Sequence, residues 1–131
     1  MNISFWVLLL LALALVGCEH GAPQPANLVK VERVDSHTKL KVTYTAYTDD
    51  AGREVKQGAY VMWYQNRRKY IEANYDRDEL DGKCTIFTEE GKPEVKGVYR
   101  HGKPQDGEFQ VGHEIRKYGA GKLVSSRTDE K

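Results

Sequence analysis

The chain has 131 residues, a formal net charge of +1 and 30% charged residues, so it has room for at most one domain. Lysine and arginine are spread among aspartate and glutamate. This balance lacks the clustered basic excess of a nucleic-acid-binding protein, and no nucleic acid partner is expected.

The first element is an unbroken apolar run from Phe5 to Val16. It is shorter than the roughly 20 residues of a membrane-spanning helix and has the length of a signal-peptide core. The run ends in Leu15-Val16-Gly17-Cys18, which resembles the lipobox of bacterial lipoproteins. This resemblance implies that residues 1–17 are a cleaved signal peptide and that Cys18 carries a diacylglyceryl group. The alternative is a buried core helix with an incidental cysteine.

A lipid on Cys18 would tether the mature chain to a membrane, because each buried methylene contributes roughly 0.8 kcal/mol. Glu19 follows the cysteine, and by resemblance to Gram-negative lipoproteins this favours the outer membrane, facing the periplasm. Cys84 is then the one cysteine left, so we expect neither an intramolecular disulfide nor a cysteine-based zinc site. Residues 18–27 lack apolar periodicity and contain two prolines, which predicts a flexible linker.

Short strands follow the linker. Leu28–Val34 is rich in valine, and Leu40–Thr48 alternates apolar and polar residues with the period of two that is typical of a half-buried strand. Asp35-Ser36-His37 separates these segments as a turn. Asp49-Asp50-Ala51-Gly52 predicts a second turn, and Arg53–Gln57 is expected to return as a short strand.

A repeat with an offset of 24 residues begins at Gly58. It carries Gly58-Ala59-Tyr60-Val61-Met62-Trp63 onto Gly82-Lys83-Cys84-Thr85-Ile86-Phe87, and Ala73-Asn74-Tyr75 onto Gly97-Val98-Tyr99. One further residue of slip carries Asp81-Gly82 onto Asp106-Gly107. A period in the twenties indicates stacked structural repeats.

Each unit is predicted to be a strand, a turn, a returning strand and a connection. The predicted strands of the first two units are Ala59–Tyr64, Lys69–Tyr75, Lys83–Thr88 and Glu94–Arg100. A degenerate third unit is predicted to have the strands Glu108–Val111, Ile115–Tyr118 and Lys122–Ser125. The segments Asp76–Asp81 and His101–Pro104 are predicted connections. The fold class is therefore all-β, an antiparallel meander of repeated β-hairpins over residues 28–126, with residues 127–131 as a disordered tail.

The repeat predicts columns of side chains across the sheet. Tyr60, Cys84 and Phe109 are expected in one column, and Met62, Ile86 and Val111 in the next on the same face. The opposite face would hold Val61, Trp63, Thr85 and Phe87. That second face is either covered by the N-terminal strands or used for binding.

The clearest unit runs from Phe87 to Phe109. Its motifs are Glu90-Gly91-Lys92, Gly97-Val98-Tyr99, Gly102-Lys103-Pro104 and Asp106-Gly107. They resemble the MORN repeat in its bacterial variant form, which is described as an antitoxin-type module, and the resemblance covers about Gly52 to Val124. The preceding unit has Arg67, Ala73 and Asp78 near the glycine positions. The resemblance implies a β-hairpin array used for protein contacts or membrane-adjacent scaffolding, without catalysis.

Catalytic motifs such as Gly-x-Ser-x-Gly or His-Glu-x-x-His do not occur in the sequence, and we expect no enzyme activity, cofactor or metal. Arg67, Arg68 and Lys69 form the one basic cluster, which could contact lipid phosphates or an acidic partner or could be a solvated hairpin tip. Tyrosine is enriched at binding surfaces. The candidate binding surface therefore comprises Tyr64, Arg67, Arg68, Lys69, Tyr70, Tyr75 and Tyr99, although these tyrosines could instead close the columns of the sheet.

Two functions remain open from the sequence. The first is a membrane-anchored, non-catalytic protein-binding or scaffold module in the cell envelope, with a protein partner of unknown identity. The alternative is an immunity protein that neutralises a toxin in the envelope, which depends on the family resemblance alone.

Overall fold

A computed structural model describes residues 25–128. The predicted signal peptide, Cys18, most of the predicted linker and residues 129–131 lie outside the described residues. No helix long and apolar enough to cross a membrane occurs in the part of the chain that the structure describes.

Residues 25–128 form one sheet of ten strands. The strands are β1 (Val29–Val34), β2 (Lys41–Thr48), β3 (Glu54–Trp63), β4 (Lys69–Asp76), β5 (Glu79–Leu80), β6 (Gly82–Phe87), β7 (Pro93–Arg100), β8 (Lys103–Val111), β9 (Glu114–Gly119) and β10 (Lys122–Thr128). Their order follows the chain, except that the short β5 pairs with β4 off the main path. The predicted all-β antiparallel meander of hairpins is confirmed. Strands β1 and β2 extend the same sheet, so they do not cover its second face.

Strand β3 runs without a break through Gly58, where two separate strands were expected. The register changes from Tyr44 opposite Tyr60 to Ala46 opposite Lys56, so the extra residues of β3 form a bulge. Gly58 has a φ of 91°, and the Thr45 hydroxyl donates a hydrogen bond to the carbonyl of Gln57, the residue before this glycine. The glycine is therefore a bulge residue within a strand and not a strand start.

Three shorter segments also differ from expectation. The predicted connection after β4 contains β5, and β8 begins at Lys103 inside the other predicted connection. Strand β10 continues to Thr128, so the first two residues of the predicted tail are part of the sheet. Arg127 is held there because its guanidinium contacts the Glu108 carboxylate at 2.6 Å and 3.3 Å.

One face of the sheet holds most of the core. A cluster of Val42, Tyr44, Ala46 and Met62 is buried, and the alternating burial along β2 matches its predicted period of two. Farther along the sheet Val95 and Phe109 are each 3% exposed. The core is therefore a single apolar layer of side chains across the sheet.

The repeat has a precise counterpart in the turns. Arg77-Asp78, His101-Gly102 and Ala120-Gly121 each have positive φ at both residues, between 48° and 75°, as two-residue type I′ hairpin turns require. The first N–H of each turn donates to the side-chain oxygen of a residue that directly precedes a glycine of positive φ. These acceptors are Gln57 for Arg77 at 2.9 Å, Asp81 for His101 at 3.2 Å and Asp106 for Ala120 at 2.9 Å.

Candidate functional site

Aromatic side chains cross the core face of the sheet in two runs, which we call the aromatic row. The row consists of Tyr44, Tyr60, Tyr75, Tyr99, Phe109 and Tyr118, with successive ring centroids 6.2 Å and 5.3 Å apart in the first run and 4.8 Å and 5.5 Å apart in the second. Cys84 lies between the runs, on the same face as Phe109, and lines one small cavity with it. Two candidate binding residues, Tyr75 and Tyr99, therefore lie within a packed row of rings.

Burial makes four tyrosine hydroxyls of this row weaker acids than a free tyrosine. It raises the pKa of Tyr44 to about 12, with a further contribution from the hydrogen bond that its hydroxyl donates to Glu54 Oε1 at 2.6 Å. Burial also raises the pKa of Tyr60, Tyr75 and Tyr99. The hydroxyls of these four tyrosines are therefore neutral.

The thiol of Cys84 is equally inert. Burial raises its pKa, which disfavours the thiolate that would be needed for nucleophilic chemistry.

Lys56 Nζ covers part of the aromatic row, at 5.6 Å from the Tyr44 ring centroid and 5.7 Å from that of Tyr75. These contacts are cation–π interactions that stabilise the rings in place.

The other candidate residues lie together on the β3–β4 hairpin. The rings of Tyr64 and Tyr70 are 4.8 Å apart, and Tyr70 packs against the core cluster. The Tyr64 hydroxyl donates to the Phe87 carbonyl at 2.7 Å and thereby joins this hairpin to the next one. The structure thus separates the predicted binding surface into two places, the hairpin tip and the aromatic row.

The three cations of the hairpin tip differ in their surroundings. Arg68 Nη1 donates to the Glu89 carbonyl at 3.2 Å, and Lys69 Nζ lies 2.9 Å from Glu72 Oε1. Within residues 25–128 no carboxylate lies within ion-pair distance of the Arg67 guanidinium. Arg67 is therefore the cation of the predicted cluster that is best placed to meet a ligand.

Arg67 lines a cleft of about 640 Å³ between the β1–β2 and β3–β4 turns. We call it the turn cleft. Its apolar lining includes Val34, Leu40 and Trp63, and its cations are Lys39, Lys41 and Arg67. Among residues 25–128, no carboxylate belongs to its lining. The indole N–H of Trp63 donates to the Thr43 hydroxyl at 3.2 Å, which fixes the ring.

Sequence reasoning missed Val34, Lys39, Leu40 and Lys41 as parts of a site. A signal for them exists, since in an antiparallel meander every second turn lies at the same end of the strands. The β1–β2 turn and the β3–β4 turn are therefore neighbours. Lys39 lies outside the repeated segment, so the repeat gives no signal for it. Its φ of 61° allows the chain to reverse direction between β1 and β2.

In the described part of the chain, no three His, Cys, Asp or Glu side chains are arranged to hold a metal ion. His101 Nδ1 lies 3.9 Å from Glu79 Oε2 and 3.8 Å from Asp81 Oδ2, on the exposed surface. The arrangement is a turn residue near two carboxylates.

No known protein family, curated protein or solved structure matches the chain. The fold and the site together define the class of protein. It is an open, single-layer antiparallel sheet of repeated hairpins with a basic and aromatic cleft at one end of the strands. The resemblance to variant MORN repeats and to the lipobox stays a prediction from the sequence.

Proposed function

We propose that this protein is a membrane-anchored lipoprotein whose sheet is a non-catalytic protein-binding or scaffold module in the cell envelope. The observation that carries the proposal is the turn cleft, where Lys39, Lys41 and Arg67 surround Trp63 and no carboxylate of residues 25–128 lines the cavity. Tryptophan, tyrosine and arginine are the residues most enriched among the energetic centres of protein interfaces.

The charge of the cleft defines the chemistry of the partner. Lys41 is neutralised in part by Glu32 at 2.8 Å, whereas no carboxylate of residues 25–128 pairs with Lys39 or Arg67. An acidic segment with an apolar or aromatic side chain would place its carboxylates between these two cations and its apolar group against Trp63. The favoured partner is therefore a protein that presents such a segment.

The lipobox supports the anchor. Eleven residues, 18–28, lie between the predicted cleavage site and β1, and an extended chain spans at most about 3.5 Å per residue, or about 39 Å in all. A tether of this length would hold the turn cleft close to the membrane and leave both faces of the sheet accessible to other envelope proteins.

The anchor is tested by Cys18→Ala in the full-length chain. We expect the wild-type protein in the membrane pellet and the variant in the soluble fraction or retained as an uncleaved precursor without lipid. A variant that is processed and still sediments with membranes would contradict anchoring through Cys18.

The binding function is tested by capture from envelope extract with the full-length protein, purified in mild detergent. Arg67→Glu combined with Trp63→Ala should abolish retention of any specific partner. Lys92→Glu is the matched control for charge, because Lys92 lies in the neighbouring β6–β7 turn outside the cleft.

Three results are informative. A stoichiometric partner that is lost with the cleft variant and kept with the control would support the proposal. If that partner is a toxin, the immunity role becomes the specific form of the binding function. Capture that is equal for both variants, or no specific capture at all, would contradict a binding role for the turn cleft.

A further inference from the structure

Within residues 25–128, the outer edge of β1 is a regular strand edge without a partner strand. Within residues 25–128 the sheet begins at β1, and its six residues pair with β2 in one continuous register. The strand contains three valines and no proline. Such an edge exposes a row of backbone donors and acceptors and is suited to pairing with another strand.

The opposite edge of the sheet is protected. Strand β10 has a register shift between Leu123 and Ser125, and a bulge of this kind disrupts further pairing. Its charged residues are the two cations Lys122 and Arg127, with no acidic residue in the strand. The antiparallel register that pairs Lys122 of one copy with Arg127 of another would bring like charges together.

The sequence of β1 is complementary to itself in one antiparallel register. If Val31 lies opposite Val31 of a second copy, Lys30 of each chain lies opposite Glu32 of the other. The same register places Leu28 of each chain opposite Val34 of the other. Opposite charges and apolar groups that directly face each other are the pairs that stabilise antiparallel strands.

Neighbouring registers lack this match. A shift that places Val31 opposite Glu32 also places Lys30 opposite Arg33, which brings like charges together. The register centred on Val31 also pairs Leu28 and Val34, two exposed apolar residues with relative exposures of 38% and 67%. Both would be covered at the junction.

From this complementarity we infer that two copies of the chain pair through their β1 edges, antiparallel and centred on Val31, to form one continuous sheet with a two-fold axis. The axis stands perpendicular to the sheet, because directly opposed residues of antiparallel strands point to the same face. The core faces of the two copies become continuous at Val31, which packs against the core cluster.

This inference goes beyond the proposed function and does not depend on the lipid anchor or on a partner protein. It has a consequence for the turn cleft, since Val34 lines that cleft and lies at the end of β1. The dimer would place the two clefts on either side of the axis, facing the same side of the joined sheet. A bivalent partner could then contact both.

Charge reversal tests the register. Lys30→Glu and Glu32→Lys each place like charges opposite one another twice in a homodimer, and each should weaken self-association about tenfold. A mixture of the two single variants restores both opposite-charge pairs and should associate as tightly as the wild type. Association is measured by sedimentation of the full-length protein in mild detergent over a range of concentrations.

Fold integrity is controlled in the same variants. Lys30 and Glu32 are exposed, so circular dichroism of both variants should match the wild type. The unfolding midpoint should stay unchanged in Lys30→Glu and fall slightly in Glu32→Lys, which loses the surface ion pair with Lys41. Lys122→Glu in β10 is the matched control on the other edge, and it should leave the association unchanged.

Cysteine cross-linking in whole cells gives an independent readout. In a Cys84→Ala background, Val31→Cys should form a disulfide-linked dimer on mild oxidation, because opposed Cα atoms in antiparallel strands lie about 4.5–5.5 Å apart. Leu123→Cys in β10 should not form one. The Cys84→Ala chain with Val31 intact keeps Cys18 and controls for any disulfide formed through that residue.

The outcomes separate clearly. A monomer at all concentrations, a cross-link to other proteins alone, or a cross-link between Val31→Cys and Leu123→Cys chains would each overturn the inference. Failure of the two single variants to complement each other would overturn the register. A dimer with the expected charge pattern would stand even if no partner binds the turn cleft.

Discussion

The ring of Phe109 lies against Gly97 so closely that a Cβ on Gly97 would be 2.4 Å from both Cε1 and Cζ of the ring. Gly97 on β7 is paired with Gly107 on β8. Phe109, two residues further along β8, points to the same face and covers the gap that the paired glycines leave. The aromatic row therefore depends on the absence of a side chain at Gly97.

Gly97→Ala should lower the free energy of unfolding by about 1–3 kcal/mol, because the added methyl group would displace the Phe109 ring from a packed site. Urea unfolding of the variant and the wild type measures the difference. Gly119→Ala is the matched control, since its Cβ would meet the nearest heavy atom, a methyl carbon of Val124, at 3.4 Å. Equal losses in the two variants would show that the Phe109 contact is not the cause.

Asp106 links β8 to the last hairpin turn, because its Oδ1 accepts a hydrogen bond from the Ala120 N–H at 2.9 Å. Asp106→Ala should cost about 1 kcal/mol of unfolding free energy and should speed hydrogen exchange at the Ala120 amide. Asp50→Ala, in an exposed turn, is the control and should leave both unchanged. Unaltered exchange at Ala120 in the Asp106 variant would rule out this link.

Arg67 has a φ of 67° at the position where the following repeat has Gly91, with a φ of 84°. A non-glycine residue in this region costs about 1–2 kcal/mol, whereas glycine costs roughly 0.5–1 kcal/mol more conformational entropy on folding. Arg67→Gly should therefore leave stability unchanged or raise it by up to about 1 kcal/mol. By the same balance, Gly91→Arg should lower it by up to about 1 kcal/mol.

The comparison of these two variants by thermal unfolding tests whether the repeats are equivalent in backbone conformation. Lys92→Gly adds a glycine directly after Gly91 in the β6–β7 turn, at a position that does not have a positive φ. It should lower stability, which would separate the conformational effect from a general effect of glycine. A loss of stability in Arg67→Gly as large as that of Lys92→Gly would contradict the equivalence.

Tyr44 should make the fold sensitive to alkali. Its pKa in the folded chain is about 12, against an ordinary value of 10.0, so the folded state favours the neutral hydroxyl. The stabilisation from this group is complete below pH 10 and is lost as the pH rises from 10 to about 12. Tyr44→Phe should remove one group that titrates near 12 in the tyrosinate ultraviolet absorbance.

The same variant should flatten the decline of stability over that pH range. Tyr47→Phe on the same strand is the control, and it should keep the decline. If Tyr44→Phe and the wild type lose stability in parallel between pH 10 and 12, the hydrogen bond to Glu54 and the burial of Tyr44 do not govern the alkaline response.

Local patterns were sufficient to predict most of the strands. The alternation in β2 and the offset of 24 residues between Gly58 and Gly82 are visible in the order of residues along the chain. They predicted the meander and its repeated hairpins. The placement of Tyr60, Cys84 and Phe109 on one face could also be predicted, because side chains alternate along every strand.

The sequence by itself determined the all-β class, the repeat and the chemical character of its residues. Only the tertiary structure decided that Gly58 is a bulge within β3, that Arg127 belongs to β10, and that Lys39 and Arg67 line one cleft. The physical reason is that bulges and register depend on the partner strand, and that two turns become neighbours only when the strands between them pair. Composition and spacing along the chain carry no direct record of those distances.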